Sequence, residues 1–260
     1  MIEGKGMSNE KGKTINYANW VSVKMIVVPA ILALAFTLLS LKLWGLAFAA
    51  SLFLLIAVYF ALARLIFSPH GDDVQAKIEG LVLDHLLEVQ SGTVLDIGCG
   101  NGPLTIAVAK KYSQAHVTGI DTWGKNWDYS QKLCERNAAS AGVSERVSFQ
   151  KGSAIQLPFA DGQFDLVVSN LVFHEISGLK DKREAVREAL RVLKPGGTFV
   201  LQDLFLIKAY YGKLDELIKA VRGWGIQEVE FIRTCDEPFI PKLVKLPFMV
   251  GTLGLIKGIK

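Results

Sequence analysis

Val94-Leu95-Asp96-Ile97-Gly98-Cys99-Gly100-Asn101-Gly102 reads as a buried strand running into a glycine-rich turn, and the helical pattern of Leu104–Lys111 follows at once. Glycines in such a turn let the backbone approach a ligand without Cβ atoms in the way, and the helix N-terminus beyond offers free N–H groups to a carboxylate or phosphate. The spacing narrows the ligand. Gly98, Gly100 and Gly102 form GxGxG, and Pro103 stands where the GxGxxG of a dinucleotide fold places its third glycine. A nicotinamide oxidoreductase is the weaker reading for that reason.

Outward from this stretch, β-rich runs at Thr93–Ile97, His116–Ile120, Val147–Gln150, Phe164–Ser169 and Thr198–Leu204 alternate with helical patterns. The helices are Asp72 or Asp73 to about Val89, Leu104–Lys111, Trp127–Ala141 and Lys182–Leu193. That alternation predicts a mostly parallel α/β sheet covered on both faces. A helix over Lys213–Arg222 then leads to strands at Glu228–Arg233 and Val250–Lys260, a pair expected to close the sheet edge antiparallel. The whole is a Rossmann-like seven-stranded sheet with a C-terminal antiparallel hairpin.

Asp121 ends the second strand about 20 residues after the glycine turn, where an acidic side chain accepts both hydroxyls of a ribose. Further on come Gly152-Ser153-Ala154 with Leu157-Pro158-Phe159, then Phe164–Asn170, then Leu190–Gly197 with its Lys194-Pro195-Gly196-Gly197 turn. With these four motifs in order, residues 75–205 resemble the class I S-adenosylmethionine-dependent methyltransferases, most closely the small-molecule group that includes quinone and sterol C-methylases. The resemblance implies that S-adenosylmethionine is the cofactor. It implies that Asp96, Gly98 and Gly100 hold its methionine end, Asp121 the ribose, Ser153 and Ala154 the adenine, and that Asn170 marks the mouth near the sulfonium. Many relatives carry an acid where Ser153 stands, which leaves adenine N6 to the Ala154 backbone.

His174, four residues past Asn170, is the histidine placed to act as a base or to orient the acceptor, with Glu175 beside it and Asp203 at the end of the fifth strand. His85 and His116 read as structural, and Cys99 as filling space inside the turn. After the ribose acid the chain is aromatic. Trp123 is placed to pack on adenine and Trp127 to cover the substrate mouth, or both are ordinary packing and capping residues.

The remaining signal is hydropathy. Half of the 260 residues are apolar, the mean hydropathy is +0.31, and the excess is concentrated near the N-terminus. Met25–Leu41 and Leu43–Ala63 are uncharged runs joined by a short polar break over Ser40–Gly45, so the pattern predicts a transmembrane helical hairpin over 21–67. It divides the chain into a tail at 1–20, the hairpin, and a catalytic domain at 68–260. Trp20 and Trp44 sit at run ends as interfacial aromatics do, and flanking lysines place both termini and the catalytic domain in the cytoplasm.

Of the net charge of +4, all belongs to residues 1–71, which carry six Lys/Arg against two Asp/Glu, while residues 72–260 are balanced. A neutral catalytic part argues against nucleic acid as a partner. Cys99, Cys134 and Cys235 form no CxxC pair, so neither a disulfide framework nor a metal site is expected. Pro238–Phe248 mixes aromatics, aliphatics and lysines, as an interfacial flap would, or packs as core. The expected function is a membrane-anchored methyltransferase with an amphipathic or lipid-like acceptor. The alternatives are a methyltransferase of a soluble or protein acceptor recruited to a membrane complex, and a non-catalytic cofactor-binding membrane protein.

Overall fold

The computed structural model describes residues 15–87, 92–124 and 129–260. Two apolar helices come first, α1 (Lys24–Ser40) and α2 (Leu46–Phe67), joined by an exposed turn. The rest of the chain follows as α3 (Val74–Asp84), β1 (Gly92–Ile97), α4 (Pro103–Lys111), β2 (Ala115–Asp121), α5 (Gln131–Ala141), β3 (Val147–Lys151) and β4 (Phe164–Asn170). It continues through α6 (Arg183–Arg191), β5 (Leu193–Asp203), α7 (Lys208–Tyr211), α8 (Leu214–Gly223), β6 (Glu228–Ile232) and β7 (Gly254–Ile259).

The strands form one sheet in the order β3-β2-β1-β4-β5-β7-β6. Neighbours pair in parallel from β3 to β5, and β7 runs antiparallel to both β5 and β6. The order reverses direction between β1 and β4, so a crevice opens at their carboxyl ends, where ligands bind in open α/β sheets. Apolar side chains of α6, α8 and the strands bury one face of the sheet. Those of α3, α4 and α5 bury the other. A third apolar cluster joins Ala63 and Phe67 of α2 to Val74 and Ile78 of α3 and to Ile240, Val244 and Val250 of the link between β6 and β7.

Helix boundaries depart from the sequence pattern where local chemistry intervenes. Helix α3 stops at Asp84, and His85 turns its Nδ1 onto the Leu81 carbonyl at 2.7 Å. Asp73 precedes it in a left-handed conformation with no capping hydrogen bond from its side chain, so the capping role expected of that residue is not realised. Helix α5 starts at Gln131 because the Ser130 hydroxyl caps it, accepting the Leu133 N–H at 3.3 Å. Trp127 lies outside the described residues. Strand β5 begins at Leu193, before the expected Thr198: Lys194–Gly197 bulges out of the strand, as the register jump from Phe164↔Leu193 to Leu166↔Thr198 shows.

The N-terminal helices pack against each other, with Phe36 and Phe53 stacked at 5.5 Å between ring centres. Among the described residues one helix, Leu46–Phe67, is long and apolar enough to cross a membrane, and only 17% of its most apolar stretch is buried. The first run gives a shorter helix: α1 has 17 residues, at the lower end of the about 17–25 that cross a bilayer. Its expected extension is occupied otherwise, because Val21 is buried in the third cluster and its carbonyl accepts the Arg64 guanidinium. Trp20 does not stand free at an interface either, but tilts against Phe67 at 5.6 Å. Leu34, Leu38, Leu55 and Phe48, by contrast, project from the hairpin exposed.

Candidate active site

A cavity of about 620 Å³ occupies the crevice at the carboxyl ends of β1, β2 and β4. The glycine turn forms its base. Gly98, Gly100 and Gly102 all have positive φ (72°, 56° and 84°), and a Cβ on Gly98 would stand 2.1 Å from the Val172 side chain, so the turn excludes any larger residue there. The Gly98 N–H donates to the Ile120 carbonyl at 2.7 Å, which ties the turn to the end of β2.

Asp121 completes that tie. One carboxylate oxygen accepts the Gly100 N–H at 2.9 Å and the other accepts the Trp123 N–H at 2.8 Å, while the side chain still lines the cavity. Each oxygen has a further lone pair for a ligand hydroxyl. Trp123 is not among the lining residues. Its indole N–H donates to the Gly100 carbonyl at 2.9 Å, so it braces the turn from behind and does not stack on a ligand in the cavity.

Asp96 is buried, and the Thr105 hydroxyl donates to it at 2.6 Å. Burial pushes its carboxyl up to about 7, with the nearby Asp121 charge adding to the rise and the Thr105 hydrogen bond opposing it. Glu79, on the same cavity wall, is raised by burial to about 8, and Asp96 adds to that rise. Sequence reasoning missed Glu79 and its neighbour Gln75, whose amide donates to it at 3.3 Å. The signal was present: two polar residues at i and i+4 interrupt the apolar side of α3 beside Ile78 and Val82.

The chain before α1 crosses this wall as a strap. The Asn16 N–H donates to the buried Asn137 side chain at 3.1 Å, and Asn137 returns a hydrogen bond to the Asn16 carbonyl at 2.8 Å. The Trp20 N–H donates to Gln75 at 3.1 Å. Tyr17 and Trp20 thereby line the cavity, as no motif in the sequence indicated.

The Gly152–Ala154 loop and the end of β4 also reach the cavity. Ser153 and Ala154 line the cavity, and the Ser153 hydroxyl accepts the Ile155 N–H at 3.2 Å, which closes the loop. Asn170 lines it too, its side-chain carbonyl accepting the Gln202 amide at 2.9 Å. Beyond Asn170 the chain turns sharply at Leu171, a non-glycine residue with φ of 57°.

That turn delivers His174 to the cavity wall, with its Nδ1 2.8 Å from Asp203 Oδ1 at the end of β5. Asp203 is fully buried, and its other oxygen accepts the N–H groups of Val172 at 3.0 Å and Phe173 at 2.7 Å. Burial by itself lowers the imidazole's affinity for a proton. The Asp203 carboxylate outweighs it through charge and hydrogen bond, so His174 is held above its ordinary value. Burial likewise raises Asp203, and the facing imidazole more than reverses that, holding the carboxylate low. Cys99 is buried within the turn with its thiol pushed up by burial, and its Sγ fills the space beside Gly119.

A cationic nucleoside ligand fits these residues. The glycine turn leaves room for its backbone approach, Asp121 keeps acceptor capacity for a diol, and two carboxyls made reluctant to ionise lie where a positive group would relieve them.

Residues 95–201 match the family described as "Methyltransferase domain". Among curated proteins, the chain is 38% identical over 115 residues to an ajmaline N-methyltransferase of Rauvolfia serpentina, covering 44% of this chain and 36% of that protein. It is 38% identical over 156 residues to a demethylmenaquinone methyltransferase of Lactiplantibacillus plantarum, covering 56% and 63%. The chain thus spans less than two thirds of the length of these relatives. In fold it is similar to geranyl diphosphate C-methyltransferase from Streptomyces coelicolor A3(2), solved with S-adenosyl-L-homocysteine, at a TM-score of 0.56 and 16% identity, covering 76% of this chain and 82% of that one. Residues 95–201 thus match a methyltransferase-domain family, and the sheet order agrees with the fold of that solved methyltransferase.

Proposed function

We propose that the protein transfers a methyl group from S-adenosylmethionine to a lipid-like small molecule at the surface of a membrane in which the α1–α2 hairpin is inserted. The observation that carries this reading is the cavity itself. One continuous space is lined by Asp96, Asp121 and His174 and also by Phe60 and Phe67 of the apolar helix α2. The relative named for demethylmenaquinone methylation supports an acceptor of this class. The hairpin would enter the bilayer from the side on which the catalytic domain lies, α2 being about 33 Å long at 1.5 Å per residue, and both termini would then face the cytoplasm.

S-adenosylmethionine supplies, when bound, a methyl group on a sulfonium centre that an acceptor atom displaces in line. The residues of this chain bind and orient. Asp96 and Glu79 face the positive methionine end, Asp121 takes the ribose hydroxyls, and Ser153 with Ala154 flank the base. With the acceptor held against the cavity wall, His174 Nε2, which has Glu175 Oε1 at 3.8 Å, takes a proton from an acceptor O–H or N–H, and Asp203 stabilises the imidazolium that forms. Apolar walls and the 15–22 strap exclude water, so much of the rate comes from proximity and desolvation.

The test is to supply methyl-labelled S-adenosylmethionine and a total membrane lipid extract to the full chain in phosphatidylcholine nanodiscs. Label in the organic phase is the expected result. Label confined to water-soluble or protein fractions contradicts the lipid-like acceptor.

A further inference from the structure

The cavity has two ends of different chemistry. One is the polar end at the glycine turn, Asp121 and His174. The other runs between Trp20, Met25 at the first turn of α1, Phe60 of α2, and Phe248 with Val250 of the β6–β7 link. Two of these lining residues are also open to the outside, Met25 at 41% and Phe248 at 63% exposure, so the apolar end is a doorway and not a closed pocket. It opens where the exposed leucines of the hairpin begin.

The walls of that doorway are fixed to each other. Tyr59 donates from its hydroxyl to the Leu243 carbonyl at 3.3 Å, and the Asn19 amide donates to the Arg64 carbonyl at 3.0 Å. Phe60, Met249 and Trp20 pack on the cluster that holds Ile240, Val244 and Val250. The β6–β7 link divides its faces accordingly. Ile240 and Val244 point inward, while Leu243 and Phe248 remain exposed on the side of α2 with Lys242 beside them. The core expectation for this segment is met by its Ile240 and Val244 face, and Leu243 with Phe248 forms an exposed apolar edge.

We infer that the hairpin is a wall of the acceptor site and not only an anchor: the hydrocarbon chain of a bilayer amphiphile enters sideways between Met25, Phe60 and Phe248 and lies in this arm while its polar head reaches His174. The inference deepens the membrane-borne acceptor proposed above and rests on it. A chain leaving the bilayer here passes from lipid to apolar side chains without crossing water, which removes the hydration cost of extracting it. The same geometry makes Met25, Phe60 and Phe248 determinants of how long and how broad a chain is accepted.

The experiment uses a long-chain 4-alkylphenol with a diazirine at the end of its chain, in phosphatidylcholine nanodiscs holding the full protein. After photolysis, adducts are mapped by mass spectrometry. Adducts on the peptide containing Phe248–Val250 are expected alongside those on the outward residues Leu34 and Leu38. Phe60→Trp, which fills the arm, is expected to lower the Phe248–Val250 adducts about tenfold while leaving the Leu34 and Leu38 adducts and S-adenosylhomocysteine affinity unchanged. Phe248→Ala, which removes one side of the doorway without adding bulk, is expected to keep or raise the adducts on Met25 and Phe60. Adducts confined to the outward leucines, or unaffected by Phe60→Trp, overturn the inference. That result is separate from the label-transfer assay: methyl label in lipid without adducts in the arm removes the doorway alone, and adducts in the arm with methyl label only in water removes the lipid acceptor.

Discussion

His174 and Asp203 stand 2.8 Å apart, Nδ1 to Oδ1, although they come from different strand ends and are separated by 29 positions in the chain. The same carboxylate gathers the N–H groups of Val172 and Phe173. It therefore fixes the loop that carries the histidine as well as the ring itself, and leaves Nε2 on the far side of the ring, 3.8 Å from Glu175 Oε1.

From this pairing follows a pH dependence. His174 has a raised proton affinity, so it stays charged and inactive as a base past the ordinary imidazole value of about 6.5 and becomes neutral only at higher pH. Turnover should rise with pH along a limb set by this group. His174→Ala should lower kcat by about 10²–10⁴-fold and leave cofactor affinity intact. Asp203→Asn should move the limb to lower pH and reduce kcat, measured as a kcat–pH profile beside the wild type.

Cofactor binding should release protons near neutrality. At pH 7 Asp96, at about 7, is half protonated and Glu79, at about 8, mostly so before ligand binds. A ligand ammonium favours their ionised forms, so affinity rises with pH through this window and falls as pH drops below it. Calorimetry of S-adenosylhomocysteine binding at pH 7 in buffers of different ionisation enthalpy should show roughly one proton released. Glu79→Gln should reduce that number and weaken binding.

For Asp121→Ala, loss of both ribose acceptors should weaken S-adenosylhomocysteine binding by about 2–3 kcal/mol. The turn should loosen as well, because Gly100 and Trp123 lose their acceptor. Gly98→Ala should be worse for folding: a left-handed φ and a Cβ 2.1 Å from Val172 together cost at least about 1–3 kcal/mol. Thermal unfolding with and without ligand separates the two effects.

The Asn16–Asn137 clamp offers a test of the strap. Asn137 is fully buried and also donates to the Asn101 carbonyl at 3.0 Å. Asn137→Ala should destabilise the protein by about 1–3 kcal/mol and increase proteolysis between residues 15 and 22. The same cleavage pattern in wild type and variant would show that the strap is held by other contacts.

The alternation of apolar runs was enough to place β1 to β4 to within a residue at either end, because buried parallel strands carry their own apolar signature. Asp121, Asp96 and the glycines were legible for a similar reason: a turn that bends through left-handed φ needs glycine, and an acid at a strand end has few structural uses. Other features depend on contacts distant in sequence. Nothing local to Asn16 announces its partner at Asn137, and nothing in Trp123 says that its indole turns back to Gly100. Strand β5 was placed late because its bulge carries Lys194-Pro195-Gly196-Gly197, which reads as a turn although the ladder resumes across it through Gly196 and Lys260. The length of α1 was overestimated because Val21 is apolar for the third cluster and not for a bilayer. Hydropathy does not distinguish those two surroundings.

The most direct measurement of the central claim is a single-turnover transfer from methyl-labelled S-adenosylmethionine to membrane lipid extract in nanodiscs, run on the full chain and on His174→Ala in parallel. The account predicts label in the organic phase with the wild type and a rate lower by at least about 10²-fold with the variant, at equal cofactor occupancy. Label in the aqueous or protein fraction, or equal rates for the two proteins, would contradict it.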